Sequence, residues 1–125
     1  YLGGWYTSEI YSDQIYGYER GTTVYSGRPT TWTGKIALPY PSDYGYAADL
    51  GSCTVQLGNY NNSTCTSANW MKNIITNNGN NVGWLLTSHL ASNNAWGVSS
   101  SGGVNYYGTY YAGGVAPVLY LAGIY

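Results

Sequence analysis

Hydrophobic and polar positions alternate only weakly from Tyr1 to Thr31. Tyrosines and glycines punctuate this segment, as in Gln14-Ile15-Tyr16-Gly17-Tyr18, and such spacing favours extended chain over helix. The alternation is clearer from Trp32 to Leu38, which predicts a strand. Pro39 and Pro41 end that strand, because proline cannot donate to a ladder of backbone hydrogen bonds.

Two short helices are predicted in the middle of the chain. Ser42 and Asp43 can cap free backbone amides, so they predict a first helix from there towards Leu50. Thr66 or Ser67 opens the second helix, whose apolar stripe is formed by Trp70, Met71, Ile74 and Ile75. An Asn-Asn-Gly run then terminates it.

The remainder is typical of a β meander. Short apolar segments alternate with turns rich in glycine and asparagine, and the predicted strands are Trp84 to Thr87, Ala95 to Ser99, Val104 to Tyr107 and Val115 to Leu121. Short strands joined by turns imply antiparallel pairing. Together with the two helices, they predict one α+β domain over residues 1–125.

Composition narrows the classes of partner. Only 7% of the 125 residues are charged, whereas aromatic residues reach 17% with sixteen tyrosines and no phenylalanine. A net charge of −1 provides no electrostatic attraction to a phosphate backbone, so nucleic acid is an unsuitable partner. Tyrosine combines an apolar ring with a hydroxyl and suits wet contact surfaces.

The charges are also unevenly distributed. All five acidic residues and three of the four basic ones precede residue 50, and after Asp49 the sole charged residue is Lys72. Every asparagine, by contrast, lies between Asn59 and Asn105. Because no proline-rich or charged linker separates the halves, this asymmetry indicates one domain with two compositional faces.

Cys53 and Cys65 are the only cysteines, and an even number in a small polar chain indicates a disulfide. The closed loop would add roughly 3 kcal/mol of stability. Two cysteines and the single His89 cannot supply the four ligands of a closed zinc site. No transmembrane run or signal peptide is present, and the start at Tyr1 is that expected of a mature or truncated chain.

Several phrases, in order, carry a resemblance over Trp32 to Leu121. They are Trp32 to Leu38, Tyr40 to Ala47, the cysteine pair around Leu57 to Tyr60, Asn69-Trp70-Met71, Trp84 to Thr87, and Gly114 to Leu121. This series resembles the C-terminal domain of bacterial prepilin-type surface proteins and, more broadly, C-type-lectin-like domains. Ala116 departs from the family, which usually has arginine before that proline.

The resemblance implies a C-type-lectin-like fold over 32–125, preceded by an extended segment over 1–31. It also implies extracellular display on a cell surface or pilus, with membrane attachment through an N-terminal hydrophobic helix outside this sequence. Such domains are usual targets of diversity-generating retroelements, which randomise surface positions in the last third. Asn, Ser, Tyr, Gly, Thr and Ala are all reachable by altering adenines in one asparagine codon type.

The candidate recognition surface lies between Ser92 and Gly114, where seventeen of twenty-three residues are Tyr, Ser, Asn or Gly. Antibody loops use the same residues for contact area and adaptable hydrogen bonds. The candidate ligand-binding residues are Asn93, Asn94, Trp96, Ser99, Ser101, Asn105, Tyr106, Tyr107, Tyr110 and Tyr111. Alternatively, the same side chains pack against a neighbouring subunit in a filament.

The sequence gives little support for a catalytic or metal-dependent function. Ser88 and His89 are adjacent, so on a strand they point to opposite faces and cannot form a nucleophile–base pair. A lectin-type calcium site needs clustered carboxylates, and no acid follows Asp49. We therefore expect a non-catalytic binding or adhesion module without cofactor or metal, whose partner is a protein or glycan on another surface. A pilin-like structural subunit that associates with itself is the alternative, and a hydrolase is a distant one.

Overall fold

The computed structural model describes residues 9–20, 33–77, 82–88, 94–110 and 112–119, and the structural statements below concern these ranges. They form an α+β structure with four short α-helices, one 3-10 turn and one antiparallel sheet. The elements are α1 (Ser12–Arg20), α2 (Pro41–Tyr46), the 3-10 turn (Leu57–Asn59), α3 (Ser63–Thr66), α4 (Lys72–Ile75), β1 (Val82–Ser88), β2 (Asn94–Ser99) and β3 (Val104–Gly108).

Helix α1 replaces the extended chain predicted for this segment, which was wrong. Its buried face consists of Ser12, Ile15 and Glu19, which are spaced three and four residues apart as a helix requires. Two of these three buried residues are polar. The hydrophobic pattern therefore did not show the helical period.

Glu19 joins α1 to the start of α2. Its buried carboxylate accepts a hydrogen bond from the Ser42 backbone N–H at 3.1 Å and a second from the Ser42 hydroxyl. A negative charge is favourable at a helix N-terminus, where backbone N–H groups have no partner within the helix. A polar contact therefore fixes how the first two helices pack.

The predicted helix near Ser42 is confirmed as α2. Pro41 occupies its first turn, and the Asp43 carboxylate accepts a hydrogen bond from the Tyr40 backbone N–H at 2.8 Å. Asp43 therefore caps the helix from inside the first turn, while Ser42 contacts Glu19 instead.

The second predicted helix, expected to open at Thr66 or Ser67, is helical only over Lys72–Ile75, so the expected continuous stripe was wrong. Helix α3 ends at Thr66 and α4 begins at Lys72, because the Asn69 side chain accepts a hydrogen bond from the Met71 backbone N–H at 3.0 Å. Asparagine side chains compete in this way with helical hydrogen bonds. Met71 and Ile75 are buried, whereas Trp70 and Ile74 are exposed.

Three of the four predicted meander strands are confirmed, in the order β1-β2-β3 with antiparallel pairing. The fourth, Val115 to Leu121, forms no strand in its described part up to residue 119. That region makes isolated bridges instead, from Gly114 to Gly83 and from Val118 to Ala37. The strand predicted up to Leu38 is likewise reduced to the bridge at Ala37, and Trp32 lies outside the described residues.

Two buried tyrosines join helix α2 to its neighbours in the core. The Tyr44 hydroxyl donates to the Gly102 carbonyl at 2.5 Å, in the turn between β2 and β3. The Tyr60 hydroxyl donates to the Gly45 carbonyl at 3.1 Å, and the two ring centroids are 6.0 Å apart. Around them lie the buried side chains of Leu57, Ile75, Leu85, Trp96, Val98 and Val104.

The predicted disulfide between Cys53 and Cys65 is confirmed. Both cysteines are buried, and their Cα atoms are 4.8 Å apart across a sequence separation of 12. The bond attaches the turn that follows Asp49 to helix α3, which is only one turn long.

We expect the Cys53→Ala/Cys65→Ala variant to lose about 3 kcal/mol of unfolding free energy, because its unfolded chain regains the entropy of the opened loop. Urea denaturation followed by far-UV circular dichroism measures the loss. Reduction of the native chain should give a comparable value. A loss below about 1 kcal/mol would show that the frame does not depend on this crosslink.

Stability should also fall at alkaline pH. Burial raises the pKa of the Tyr44 phenol, and the neighbouring Tyr60 raises it further. The unfolded chain releases that proton near pH ~10, while the folded chain retains it, so stability falls as pH rises above that value. Each such tyrosine contributes a slope of about 1.4 kcal/mol per pH unit.

The Tyr44→Phe variant should lose its share of this slope, as well as about 1–3 kcal/mol at neutral pH because the Gly102 carbonyl loses its donor. Urea titrations between pH ~8 and pH ~11 measure both effects. The Val98→Ala variant is the control: it creates a cavity but keeps Tyr44. An unchanged slope in Tyr44→Phe would refute the assignment.

Candidate functional site

The pairing register sorts the side chains of β2 and β3 onto two faces. The pairs Trp96–Tyr106 and Val98–Val104 share one face, and Ala95–Tyr107 and Gly97–Asn105 share the other. Trp96, Val98 and Val104 are buried, so their face covers the core. Asn105 and Tyr107 consequently lie on the opposite side. We call this side the outer face and define it by Val82, Trp84, Gly97, Ser99, Asn105 and Tyr107, of which Val82 and Gly97 are buried.

Gly97 lies at the centre of the outer face. It pairs with Trp84 of β1 on one side and Asn105 of β3 on the other. A Cβ atom there would lie 2.7 Å from the Val82 side chain and 3.4 Å from the Tyr107 ring. Because glycine has no Cβ atom, the Val82 side chain and the Tyr107 ring pack closely over Gly97, which is buried, and the Asn105 side chain beside them is exposed.

Neutral hydroxyl groups lie on the outer face and next to it. Burial raises the pKa of the Tyr107 phenol, and a hydrogen bond with the Ser99 side chain lowers it in part. The Ser99 and Ser101 hydroxyls are 2.8 Å apart and hydrogen-bonded. The three hydroxyls thus present donors and acceptors without charge.

Two further tyrosines lie along the edge strand β3, on the face of the sheet that carries Trp96. Tyr106 is partly exposed at the side of β3, and its ring meets Trp96 edge-on at 5.8 Å. Tyr110 is 81% exposed. Its ring lies against Gly108, where any Cβ atom would collide with it.

The structure divides the predicted site residues between the two faces of the sheet. Those that lie on the outer face or beside it are Ser99, Ser101, Asn105 and Tyr107, whereas Tyr106 and Tyr110 lie at the edge of the face that carries Trp96. Asn94 is half-buried at the start of β2, whereas Asn93 and Tyr111 fall outside the described residues.

Trp96 requires a correction. It was predicted as an exposed anchor, yet only 1% of its surface is accessible. The reason is the two-residue period of the strand, which places Trp96 on the same face as Val98. It therefore belongs to the core and supports the surface from below.

The turn between β2 and β3 is also less accessible than the sequence suggested. Gly102 has a φ of +105°, and a Cβ atom there would lie 2.8 Å from the Thr66 side chain. Gly102 and Gly103 are buried, while Ser100 and Ser101 are exposed. This end of the hairpin is fixed against the core, so the candidate surface consists of residues held on strands rather than on mobile turns.

A second concave feature was not predicted from the sequence. A groove of about 310 Å³ is lined by Pro39, Asp43, Tyr46, Ala47, Trp70, Met71 and Val118. The prediction missed it because Trp70 was assigned to a buried helical stripe. The signal that could have revealed it is Asn69, a helix-interrupting residue directly before an aromatic one.

The described residues offer no obvious metal chemistry. Among them, no three histidine, cysteine, aspartate or glutamate side chains converge on one point. His89 lies outside the described ranges. No helix in the described part of the chain has the length and apolar character needed to cross a membrane.

Comparison of the chain with protein-family models, curated proteins and solved structures gives no match.

The division between core face and outer face should be measurable as stability. Trp96→Ala should lower the unfolding free energy by about 3–5 kcal/mol because it removes a large buried side chain. Asn105→Ala and Tyr110→Ala should each change it by no more than about 0.5 kcal/mol, since both side chains are exposed. Equal losses in urea titrations of the three variants would contradict the assignment of faces.

Proposed function

We propose that this chain is an extracellular, non-catalytic binding or adhesion domain. Its outer face, together with the exposed Tyr106 and Tyr110 at the edge of the sheet, contacts a protein or glycan on another surface. The observation that carries the proposal is the register of β2 and β3, which separates the buried side chains of Trp96, Val98 and Val104 from the half-buried Tyr107 and the exposed Asn105. Such a sheet can change its contact residues without repacking its core.

The chemistry of the surface supports recognition without charge. The outer face carries an indole, a phenol, an amide and a hydroxyl group, all of them neutral. Aromatic rings provide large contact area at low cost in side-chain entropy, and amide and hydroxyl groups supply hydrogen bonds. Affinity should therefore change little with ionic strength.

We further propose that the fold is C-type-lectin-like, as the resemblance implies. Three phrases that carry the resemblance lie side by side in the structure. Ala37 bridges Val118, the Trp84 backbone N–H donates to the Gly114 carbonyl at 3.0 Å, and that of Leu86 donates to the Pro39 carbonyl at 2.8 Å. The disulfide supports extracellular display, because such bonds persist in oxidising compartments.

The binding proposal can be tested with two matched variants. Asn105→Ala/Tyr110→Ala removes one exposed amide and one exposed phenol from the proposed surface. Asn59→Ala/Tyr11→Ala removes the same two groups from exposed positions elsewhere. The native chain, coupled to beads, is screened against a glycan array and a library of displayed extracellular proteins, and its ligands are then titrated with both variants.

We expect the first variant to lose at least about tenfold in affinity, or 1.4 kcal/mol, and the second to bind like the native chain. Affinity should also stay within about threefold between roughly 0.05 and 0.5 M salt. Equal binding by both variants would place recognition elsewhere on the molecule. A steep loss with salt would contradict a neutral surface.

Diversification of the outer face is part of the same proposal. Asn105, Tyr106 and Tyr107 are exposed or half-buried residues that adenine changes in an asparagine codon can produce. Sequencing this gene from many sister cells should show changes at these codons and few at Trp96 or Val98. A uniform gene, or changes scattered over core codons, would remove diversification from the proposal.

A structural subunit of a surface filament is the second candidate, and the exposed apolar side chains favour it. They include Ile36, Trp70, Ile74, Val115 and Leu119, and exposed apolar groups often mark protein contacts. Sedimentation velocity over a range of concentrations, with electron microscopy of the same samples, distinguishes the two candidates. A monomer supports recognition of a foreign partner, and ordered fibres support the filament.

A further inference from the structure

The groove beside Trp70 has a construction that suits a ligand different from that of the outer face. One part of the groove is formed by helix α2 and its C-cap residue Ala47. Asp43, Tyr46 and Ala47 are three and four residues apart and therefore lie on one side of the helix. Trp70 and Met71 line the same groove. Pro39 and Val118 complete the lining.

The two aromatic residues of the groove are held in place by polar and aromatic contacts. Asn69 is buried, and its side-chain amide donates to the Tyr44 carbonyl at 3.1 Å while its oxygen accepts from the Met71 N–H. The turn that carries Trp70 is therefore attached to the backbone of α2. The Tyr46 ring, which lines the same groove, contacts the Tyr16 ring edge-on, with 6.0 Å between the ring centroids.

Both aromatic residues remain accessible to a ligand. Trp70 is 69% exposed and Tyr46 is 45% exposed. A volume of about 310 Å³ is at the lower end of ligand-binding pockets. The groove therefore suits a small ligand, or the terminal group of a larger one.

The charge of the lining decides the chemistry of that ligand. Asp43 is an acidic residue in the groove, and the described lining contains no lysine, arginine or histidine. The same carboxylate accepts the helix-capping hydrogen bond from the Tyr40 backbone N–H, which fixes its position at the start of α2. The faces of tryptophan and tyrosine rings attract cations, and quaternary ammonium groups are bound in aromatic cages of this kind.

We propose that this groove binds a small organic cation of the quaternary ammonium class. The cation lies between Trp70 and Tyr46, and Asp43 balances its charge. This site is independent of the proposed outer-face function, because the two share no lining residue. Its chemistry is also opposite, since it depends on charge where the outer face does not.

Choline chloride is the probe, and 3,3-dimethylbutan-1-ol is its control because it has the same shape with carbon in place of the charged nitrogen. Each is titrated into ¹⁵N-labelled native chain, and the Trp70 indole N–H resonance is followed after assignment with Trp70→Leu. We expect choline to shift this resonance to saturation and to bind at least about fivefold more tightly than the neutral alcohol.

Variants test the roles of the individual groups. Asp43→Asn keeps an oxygen able to cap α2 but removes the charge, and it should weaken choline binding by about fivefold. Asp49→Asn is its matched control, because Asp49 also accepts backbone and side-chain hydrogen bonds in its own turn but lies outside the groove. Trp70→Leu lacks the indole, so its titration is followed through the backbone N–H resonances of Tyr46 and Met71, and it should weaken binding by at least about fivefold. Tyr110→Leu should leave binding unchanged.

Each outcome decides the proposal. Equal binding of choline and its neutral isostere, or equal loss in Asp43→Asn and Asp49→Asn, would overturn it. So would the absence of any shift, or a shift of the Trp70 resonance with protein concentration alone, which would indicate that a second copy covers the groove. If Asp43→Asn fails to fold, the comparison of the two probes on the native chain and the Trp70→Leu titration decide the question. Failure here leaves the matched outer-face variants as a separate test.

Discussion

The hydrogen bond from the Tyr44 hydroxyl to the Gly102 carbonyl is the contact on which the rest of the arrangement depends. It crosses the core from the first helix after Pro39 to the turn that joins β2 and β3. Asn69 holds the backbone carbonyl of the same tyrosine. A single buried residue thus fixes the hairpin, and with it the outer face, and also positions the turn that carries Trp70. Because a buried phenol without a partner costs about 1–3 kcal/mol, this geometry is strongly specified.

Three acidic side chains in the described part of the chain stabilise the frame. Glu19 is buried against the start of α2, Asp43 caps the same helix, and Asp49 holds its own turn together. The outer face, by contrast, is made of neutral rings, amides and hydroxyls. The proposed recognition surface therefore depends on shape and hydrogen bonding. The Trp70 groove differs because Asp43, while capping a helix, also gives it a negative charge.

Much of the frame could be predicted because its signals are local. Gly- and Asn-rich turns between apolar runs predicted β1, β2 and β3, and the pair of cysteines predicted the disulfide. Helix α1 could not be predicted, since Ser12 and Glu19 on its buried face are polar and find their partners in distant segments. Trp96 was misassigned because composition does not reveal which face of a strand is buried. The groove depends on the Asn69 contact with Tyr44, twenty-five residues away, which no local pattern records.

The strand register separates side chains that stabilise the fold from accessible side chains that can contact a partner. A protease-resistance scan of every single substitution at residues 94–110, on displayed protein, tests it most directly. We expect low tolerance to substitution at the buried residues Trp96, Val98 and Val104. Tolerance should be high at the exposed Asn105 and Tyr110, and intermediate at the half-buried Tyr107. If Asn105 and Tyr110 prove as intolerant as Trp96, these side chains hold the fold, and the proposed surface does not exist.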